Sequence, residues 1–129
     1  MNDESGAGVI SSVAGLSVFL AFLLFAAQVL VHLFATSFVN AAAFDAARLA
    51  SAAGGVSESA AQAHGLEVLG SYASRVSTFS VSTGAEQVTV HVQAQSPALL
   101  PSAFGHVFGT SSIDRTIVLR RELPQCAGC

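Results

Sequence analysis

The chain has 129 residues, a length that suits one domain, and 52% of them are hydrophobic whereas only 10% are charged. Soluble globular proteins contain about 25% charged residues, so this composition argues against an ordinary soluble domain. The net charge is -3 and the only basic residues are five arginines without a basic patch, which argues against nucleic acid as a partner.

The first third of the chain is an uncharged apolar run. No Asp, Glu, Lys or Arg occurs in residues 6–44, and residues 9–38 contain no proline. A helix needs about 20 apolar residues to cross a bilayer, and this run exceeds that length. A cleaved secretory signal would be shorter and preceded by positive charge, whereas Asp3 and Glu4 precede this run. The sequence therefore predicts a transmembrane helix, with membrane lipid as its first partner.

Two polar residues interrupt the apolar run. Gln28 and His32 are four positions apart, so a helix places them on one face. One interpretation is a helix–helix contact inside a membrane assembly, where polar side chains bond a neighbouring helix. Alternatively His32 titrates inside such an assembly, or both residues lie near the lipid headgroups, or their side chains hydrogen-bond each other and the backbone.

The helix is predicted to continue beyond the membrane. The alanine-rich residues 40–53 favour a helix, and Gly54-Gly55 is a typical stop signal. Asp45 and Arg48 are three positions apart and are predicted to pair on its surface. The expected organisation is a polar leader at residues 1–8, a transmembrane helix with an alanine-rich extension at 9–53, and a small domain at 54–129.

The sequence predicts an α+β fold for the small domain. Ser57 is a candidate N-cap for a helix over residues 58–76. Alternating apolar and polar residues predict strands around Phe79–Val81 and Val88–Val92, joined by a hairpin at residues 83–85, and a third strand at 113–122. We expect the helix to cover this three-stranded antiparallel sheet. The apolar loop at residues 96–109 is a candidate contact surface.

Catalytic motifs are missing from the sequence, and His64, His91 and His106 are dispersed. We therefore expect no enzymatic activity, no cofactor, no metal and no small-molecule substrate. The pair Cys126-Ala-Gly-Cys129 is compatible with a local disulfide, a thiol to a partner, half of a metal site, a redox pair or an irrelevant terminus.

The layout resembles the TadE-like family of pilus-assembly proteins, the minor pseudopilins of the tight-adherence (Flp pilus) system. The resemblance lies in a polar start ending in glycine at Gly6 and Gly8, the long apolar helix, and the Ala-Ala-Arg segment that contains Asp45 and Arg48. The strand that begins at Ile113 is also similar to the family's last strand. Over these parts the resemblance covers most of the chain.

The resemblance implies a non-catalytic single-pass membrane protein with a cytoplasmic N-terminus and an extracytoplasmic C-terminal domain. Its partners would be other pilin-like subunits and the inner-membrane assembly platform, and it could enter a surface pilus. It also implies processing at Gly6-Ala7. The family's acidic residue five positions after the cut has no counterpart, because Ser11 or Val13 stands there. A membrane-anchored surface or adhesin-like protein is the alternative, and an envelope thiol-redox protein is a remote one.

Overall fold

The protein has the predicted α+β layout, with a long apolar N-terminal helix, a second helix and a three-stranded antiparallel sheet. The structure, a computed structural model, describes residues 4–101, 106–107, 109 and 111–122. Helix α1 spans Glu4–Ser51, 48 residues, or about 70 Å at 1.5 Å per residue. It begins inside the expected polar leader and ends just before Gly54, which adopts a φ of 76°. The predicted stop signal is thus in place.

Helix α2 spans Glu58–Leu69 and is shorter than predicted. Its start is as expected, since the Ser57 side chain accepts a hydrogen bond from the Ala60 amide at 3.3 Å. The predicted end at residue 76 is wrong. Gly70 adopts a φ of 51° and its N–H caps the Leu66 and Glu67 carbonyls, so the α-helix ends there. A 3-10 helix, Gly70–Arg75, then leads directly into the first strand.

The sheet contains β1 (Val76–Thr83), β2 (Gln87–Gln95) and β3 (Ser112–Arg120) in the order β1-β2-β3, with both pairs antiparallel. The β1–β2 hairpin closes where the Gly84 amide donates to the Gln87 carbonyl at 2.8 Å. Alternate residues point to one buried face, as the apolar alternation predicted. On β1 and β2 these are Phe79, Val81, Val88, Val90, Val92 and Ala94.

Helix α1, rather than α2, provides most of the cover for the sheet, which corrects the predicted packing. Its second half presents small side chains that are fully or almost fully buried: Ala35, Val39, Ala42, Ala43, Ala46, Ala47 and Ala50. Helix α2 packs beside α1 and against β1. There Gly65 lies under the Phe79 ring, so closely that an added Cβ would overlap it. The unit at residues 54–129 therefore shares its core with α1.

The domain has two distinct ends along α1. At the far end, the Arg121 amide donates to the Glu86 carbonyl at 2.8 Å and the Glu122 amide to the Ser51 carbonyl at 2.9 Å. This ties the β1–β2 hairpin and the chain after β3 to the end of α1. At the opposite end, the base, lie the end of β2, the 3-10 helix and residues 96–101, here named the basal loop. The base meets the middle of α1.

Candidate functional site at the base of the domain

Below the base, α1 stands free of the rest of the chain. Every residue from 8 to 24 is exposed, a length of about 25 Å. The helix Gly8–Ser51 has a mean hydropathy of 2.4 in its most apolar window, and among the described residues it is long and apolar enough to cross a membrane. Large apolar side chains such as Val9, Leu16 and Phe22 face outward. Only this first part of the predicted run at residues 9–38 is bare, because the domain begins to cover α1 near residue 25.

Gln28 is the first buried residue of α1 and it holds the basal loop. Its side-chain Nε2 donates to the Pro97 carbonyl at 3.0 Å. Its Oε1 accepts from the Leu99 amide at 2.7 Å and from the Leu100 amide at 3.4 Å. One amide side chain therefore satisfies three backbone groups of a loop that has no ladder partners there. This arrangement fixes the height of the loop on the helix.

His32 makes the second attachment, one helical turn farther along. Its Nδ1 lies 3.0 Å from the Ser96 hydroxyl, and Ser96 is buried. The Ser96 amide donates to the Ser111 carbonyl at 3.1 Å, which joins the start of the basal loop to the residue before β3. The basal loop is thus attached to α1 by two polar side chains.

These contacts give Gln28 and His32 partners within their own chain. The sequence predicted a helix–helix contact for both residues, or bonds to each other and the backbone. The structure instead directs their side chains to a segment 64 to 72 positions later. Their spacing predicts that both residues share one helix face, but it does not predict which loop contacts that face.

Tyr72, in the 3-10 helix, makes two further contacts at the base. Its hydroxyl donates to the Gln95 carbonyl at 2.8 Å, and its ring meets Phe38 of α1 edge-to-face at a centroid distance of 6.2 Å. Burial raises the pKa of the Tyr72 phenol, so it stays a neutral donor at physiological pH. The 3-10 helix is thereby tied both to β2 and to α1.

Farther along α1, Asp45 pairs with His64 rather than with Arg48. The His64 Nε2 lies 2.7 Å from an Asp45 carboxylate oxygen, which links α2 to α1. Arg48 is exposed in the last turn of α1, where a positive charge suits the helix C-terminus. The predicted pair on the helix surface is therefore corrected, because the neighbouring helix brings a closer partner to Asp45.

At the far end, Glu58 joins the start of α2 to the end of β1. Both the Thr83 amide, at 2.6 Å, and the Thr83 hydroxyl donate to one Glu58 carboxylate oxygen. These hydrogen bonds, that of the hydroxyl first, lower the pKa of the Glu58 carboxyl from its ordinary value of 4.5. The contact fixes α2 against the hairpin.

The outer face of the sheet carries a small polar cluster. The Gln93 amide donates to Asp114 at 2.9 Å, and the His91 Nε2 lies 3.1 Å from the other oxygen of that carboxylate. The Gln93 hydrogen bond, followed by His91, lowers the pKa of Asp114. His91 lies on this solvent-facing side of β2. The cluster is open to solvent and forms no enclosed site.

The remaining predicted site residues lie at the two ends of the sequence. Gly6 and Ala7, the expected processing site, fall in the first turns of α1. Cys126 and Cys129 lie outside the described residues. Within the described part of the chain, no group of three or more His, Cys, Asp or Glu is placed to hold a metal ion.

Comparisons with protein-family models, with curated proteins and with solved structures find no match to this chain. The structure therefore describes the chain by its architecture: a small α+β head on a long helical stem, whose free residues 8–24 are mostly apolar and exposed. Sequence reasoning missed Ser96, Tyr72 and Glu58 as the residues that join the parts. Only the last could have been found, as an acidic residue in a first helical turn.

Proposed function

We propose that this chain is a non-catalytic, membrane-anchored, pilin-like subunit of a bacterial surface assembly of the tight-adherence type. The observation that carries the proposal is the continuity of α1. Residues 8–24 of α1 are mostly apolar and exposed, and the same helix continues without a break into the core of the head. Water disfavours such a bare apolar helix, whereas a bilayer or a bundle of similar stems accommodates it.

The mechanism of such a subunit is physical. The apolar half of α1 holds the subunit in the bilayer until assembly and then buries its surface against the stems of other subunits. The head remains outside the membrane, attached rigidly through the core residues of α1. Partners of this chemistry are membrane lipid, other pilin-like stems and the inner-membrane platform that moves them, and the head faces away from the cytoplasm.

Processing of the N-terminus provides the test. In a host with a prepilin peptidase, mass spectrometry of the membrane-embedded protein should find a mature N-terminus at Ala7. A Gly6→Leu variant should remain uncut, whereas Gly8→Leu, a matched change two positions later, should still be cut at the same bond. An unprocessed N-terminus in the wild-type protein would contradict the pilin-like proposal.

A plain single-pass surface anchor is the second candidate, favoured by one observation. Ser11 or Val13 occupies the place where a processed pilin carries an acidic residue to neutralise its neighbour's terminal amine. The two candidates differ in where the protein is found after shearing of the cells. A pilin-like subunit should appear in the sheared surface fibres, whereas a plain anchor should stay entirely with the membranes.

A further inference from the structure

We infer that the outer edge of β3 is a docking site for an extended acidic segment of another protein, which adds to the sheet as a fourth, antiparallel strand. The argument uses the backbone groups that β3 directs away from β2, the apolar side chains at this edge, and the charge of the strand. It does not require the membrane span, which enters only in the exclusion of a second copy.

The hydrogen bonds at the two ends of β3 show which of its backbone groups are free. The Ser96 amide donates to the Ser111 carbonyl at one end, and the Arg121 amide donates to the Glu86 carbonyl at the other. Opposite residues of an antiparallel pair alternate between bonded and non-bonded pairs, so the odd-numbered residues 111–121 bond to the β2 side. The even-numbered residues direct their N–H and C=O groups outward, and all five are exposed: Ser112, Asp114, Thr116, Val118 and Arg120.

The two edges of the sheet differ. At the β1 edge, the bond between Gly84 and Gln87 directs the Thr83 amide outward by the same alternation, and this amide donates to the Glu58 carboxylate. Helix α2 also packs against β1. At the β3 edge, no strand of the described part of the chain is paired. A row of unpaired N–H and C=O groups is a template for pairing with another strand, so β3 is the open edge.

Two apolar side chains of β3 are left partly covered at this edge. Ile117 and Leu119 pack against the core but are only half-buried, whereas their β2 neighbours Val90 and Val88 are fully buried. An added strand places its own side chains beside Ile117 and Leu119 and so extends the core by one strand. The residues of the partner that face the α1 side of the sheet are therefore expected to be apolar.

The unpaired charge on β3 is positive. Both oxygens of the Asp114 carboxylate already have partners, His91 and Gln93. Arg115 and Arg120 are exposed, and neither forms an ion pair within the described part of the chain. Opposite charges that face each other across two strands stabilise a sheet. Because Arg115 and Arg120 are five positions apart, on opposite sides of the strand, the matching partner carries two carboxylates at the same spacing.

A second copy of this chain does not fit this edge. Strand β3 starts near His32 and ends where the Glu122 amide binds Ser51, so it runs in the same direction as α1. Antiparallel pairing of two β3 strands would point the two stems in opposite directions, which excludes a common bilayer. Parallel pairing about a two-fold axis would place Arg115 beside Arg115 and Arg120 beside Arg120, and like charges opposite each other destabilise a sheet.

The test tethers a probe strand to the full chain. The strand Thr-Glu-Val-Thr-Val-Thr-Glu-Thr follows residue 129 through a Gly/Ser linker of about 15 residues, which keeps its local concentration in the millimolar range. In antiparallel register its glutamates face Arg120 and Arg115, and its valines lie beside Leu119 and Ile117. The control fusion carries lysine in place of both glutamates. Hydrogen exchange of individual amides is measured in detergent micelles, and far-ultraviolet circular dichroism verifies each fold.

We expect the acidic fusion to slow exchange at the Thr116 and Val118 amides at least about tenfold relative to the unfused chain, while the lysine fusion leaves them fast. In an Arg115→Glu, Arg120→Glu double variant, the lysine fusion should protect them instead. The Ile117 amide, which faces β2, should stay slow throughout and reports an intact sheet.

Three results would overturn the inference. The first is an acidic fusion that leaves both outward amides fast, and the second is equal protection by the acidic and lysine fusions. The third is slow exchange of these amides in the unfused chain. Protection that disappears on dilution would then assign the edge to a second copy, and protection independent of concentration would assign it to another part of the same chain.

Discussion

At the residue scale, the Gln28 side chain makes the hydrogen bonds that attach the basal loop to α1. It satisfies one carbonyl and two amides of the basal loop, and it is itself buried. A buried amide left without a partner costs about 1 to 3 kcal/mol, which is larger than the net gain from a typical hydrogen bond. The loop is therefore expected to respond strongly to this one position.

We expect Gln28→Leu to lower the free energy of unfolding by about 1 to 3 kcal/mol, because it leaves the Leu99 and Leu100 amides unpaired. Denaturant titration in detergent micelles measures the change, and hydrogen exchange should become faster at those two amides. Gln87→Leu is the matched control, since Gln87 is exposed on β2. Equal stabilities of the two variants would argue against the attachment described here.

Glu58 gives a prediction about pH. Its pKa in the folded protein lies below the ordinary value of 4.5, so its contribution is present above that value and is lost as the pH falls through the lowered pKa. We expect Glu58→Gln to lower the thermal midpoint at about pH 7 and to show a smaller further loss on acidification to about pH 3 than the wild type. Glu67→Gln, an exposed change on the same helix, serves as the control. An identical acid response in Glu58→Gln and wild type would contradict this role.

At the element scale, α1 has two parts with different surroundings, an exposed first part and a second part that packs in the core. Residues 8–24 are exposed and apolar, whereas the buried stripe from Ala35 to Ala50 is made almost entirely of alanine. Small side chains allow the helix backbone to approach the sheet and α2 closely, and a core of this kind has no spare volume. The second half of α1 is therefore sensitive to size rather than to hydrophobicity.

We expect Ala46→Leu to destabilise the head by about 1 to 3 kcal/mol, because the added atoms overpack a fully buried site. Ala41→Leu places the same side chain on the exposed face of the same helix and should change the stability by less than about 0.5 kcal/mol. Thermal unfolding followed by circular dichroism compares them. A pair of equally stable variants would show that α1 does not form the core.

The sequence was sufficient for the elements but not for their packing. The apolar alternation in β1 and β2 and the glycines after α1 are local signals, and both predicted the observed structure. The end of α2 was also locally encoded, in Gly70, although the apolar spacing beyond it suggested more helix. The contacts of Gln28 and His32 could not be predicted, because they join positions more than sixty residues apart. The alanines of α1 favoured a helix, yet nothing local distinguished a solvated extension from a core.

At the scale of the whole molecule, the chain is a stem that carries a head on its upper half. The exposed residues 8–24 cover about 25 Å of α1, and the head begins to cover the helix where they end. Gln28 and His32 attach the basal loop to α1 at this junction, and Tyr72 connects the 3-10 helix to β2 and to Phe38 of α1.

The central claim is that residues 8–24 hold the protein in a membrane. The most direct measurement is extraction of cell membranes at alkaline pH, which releases peripheral proteins but not spanning ones. The full chain is compared with a Leu16→Arg, Leu20→Arg double variant. Each arginine near the centre of a span costs about 2.5 to 3.5 kcal/mol, so the two together strongly disfavour insertion of α1.

The account predicts that the wild-type protein remains entirely in the membrane pellet, while the double variant is released with its head still folded. Release of the wild-type protein into the soluble fraction, with α1 intact, would contradict it.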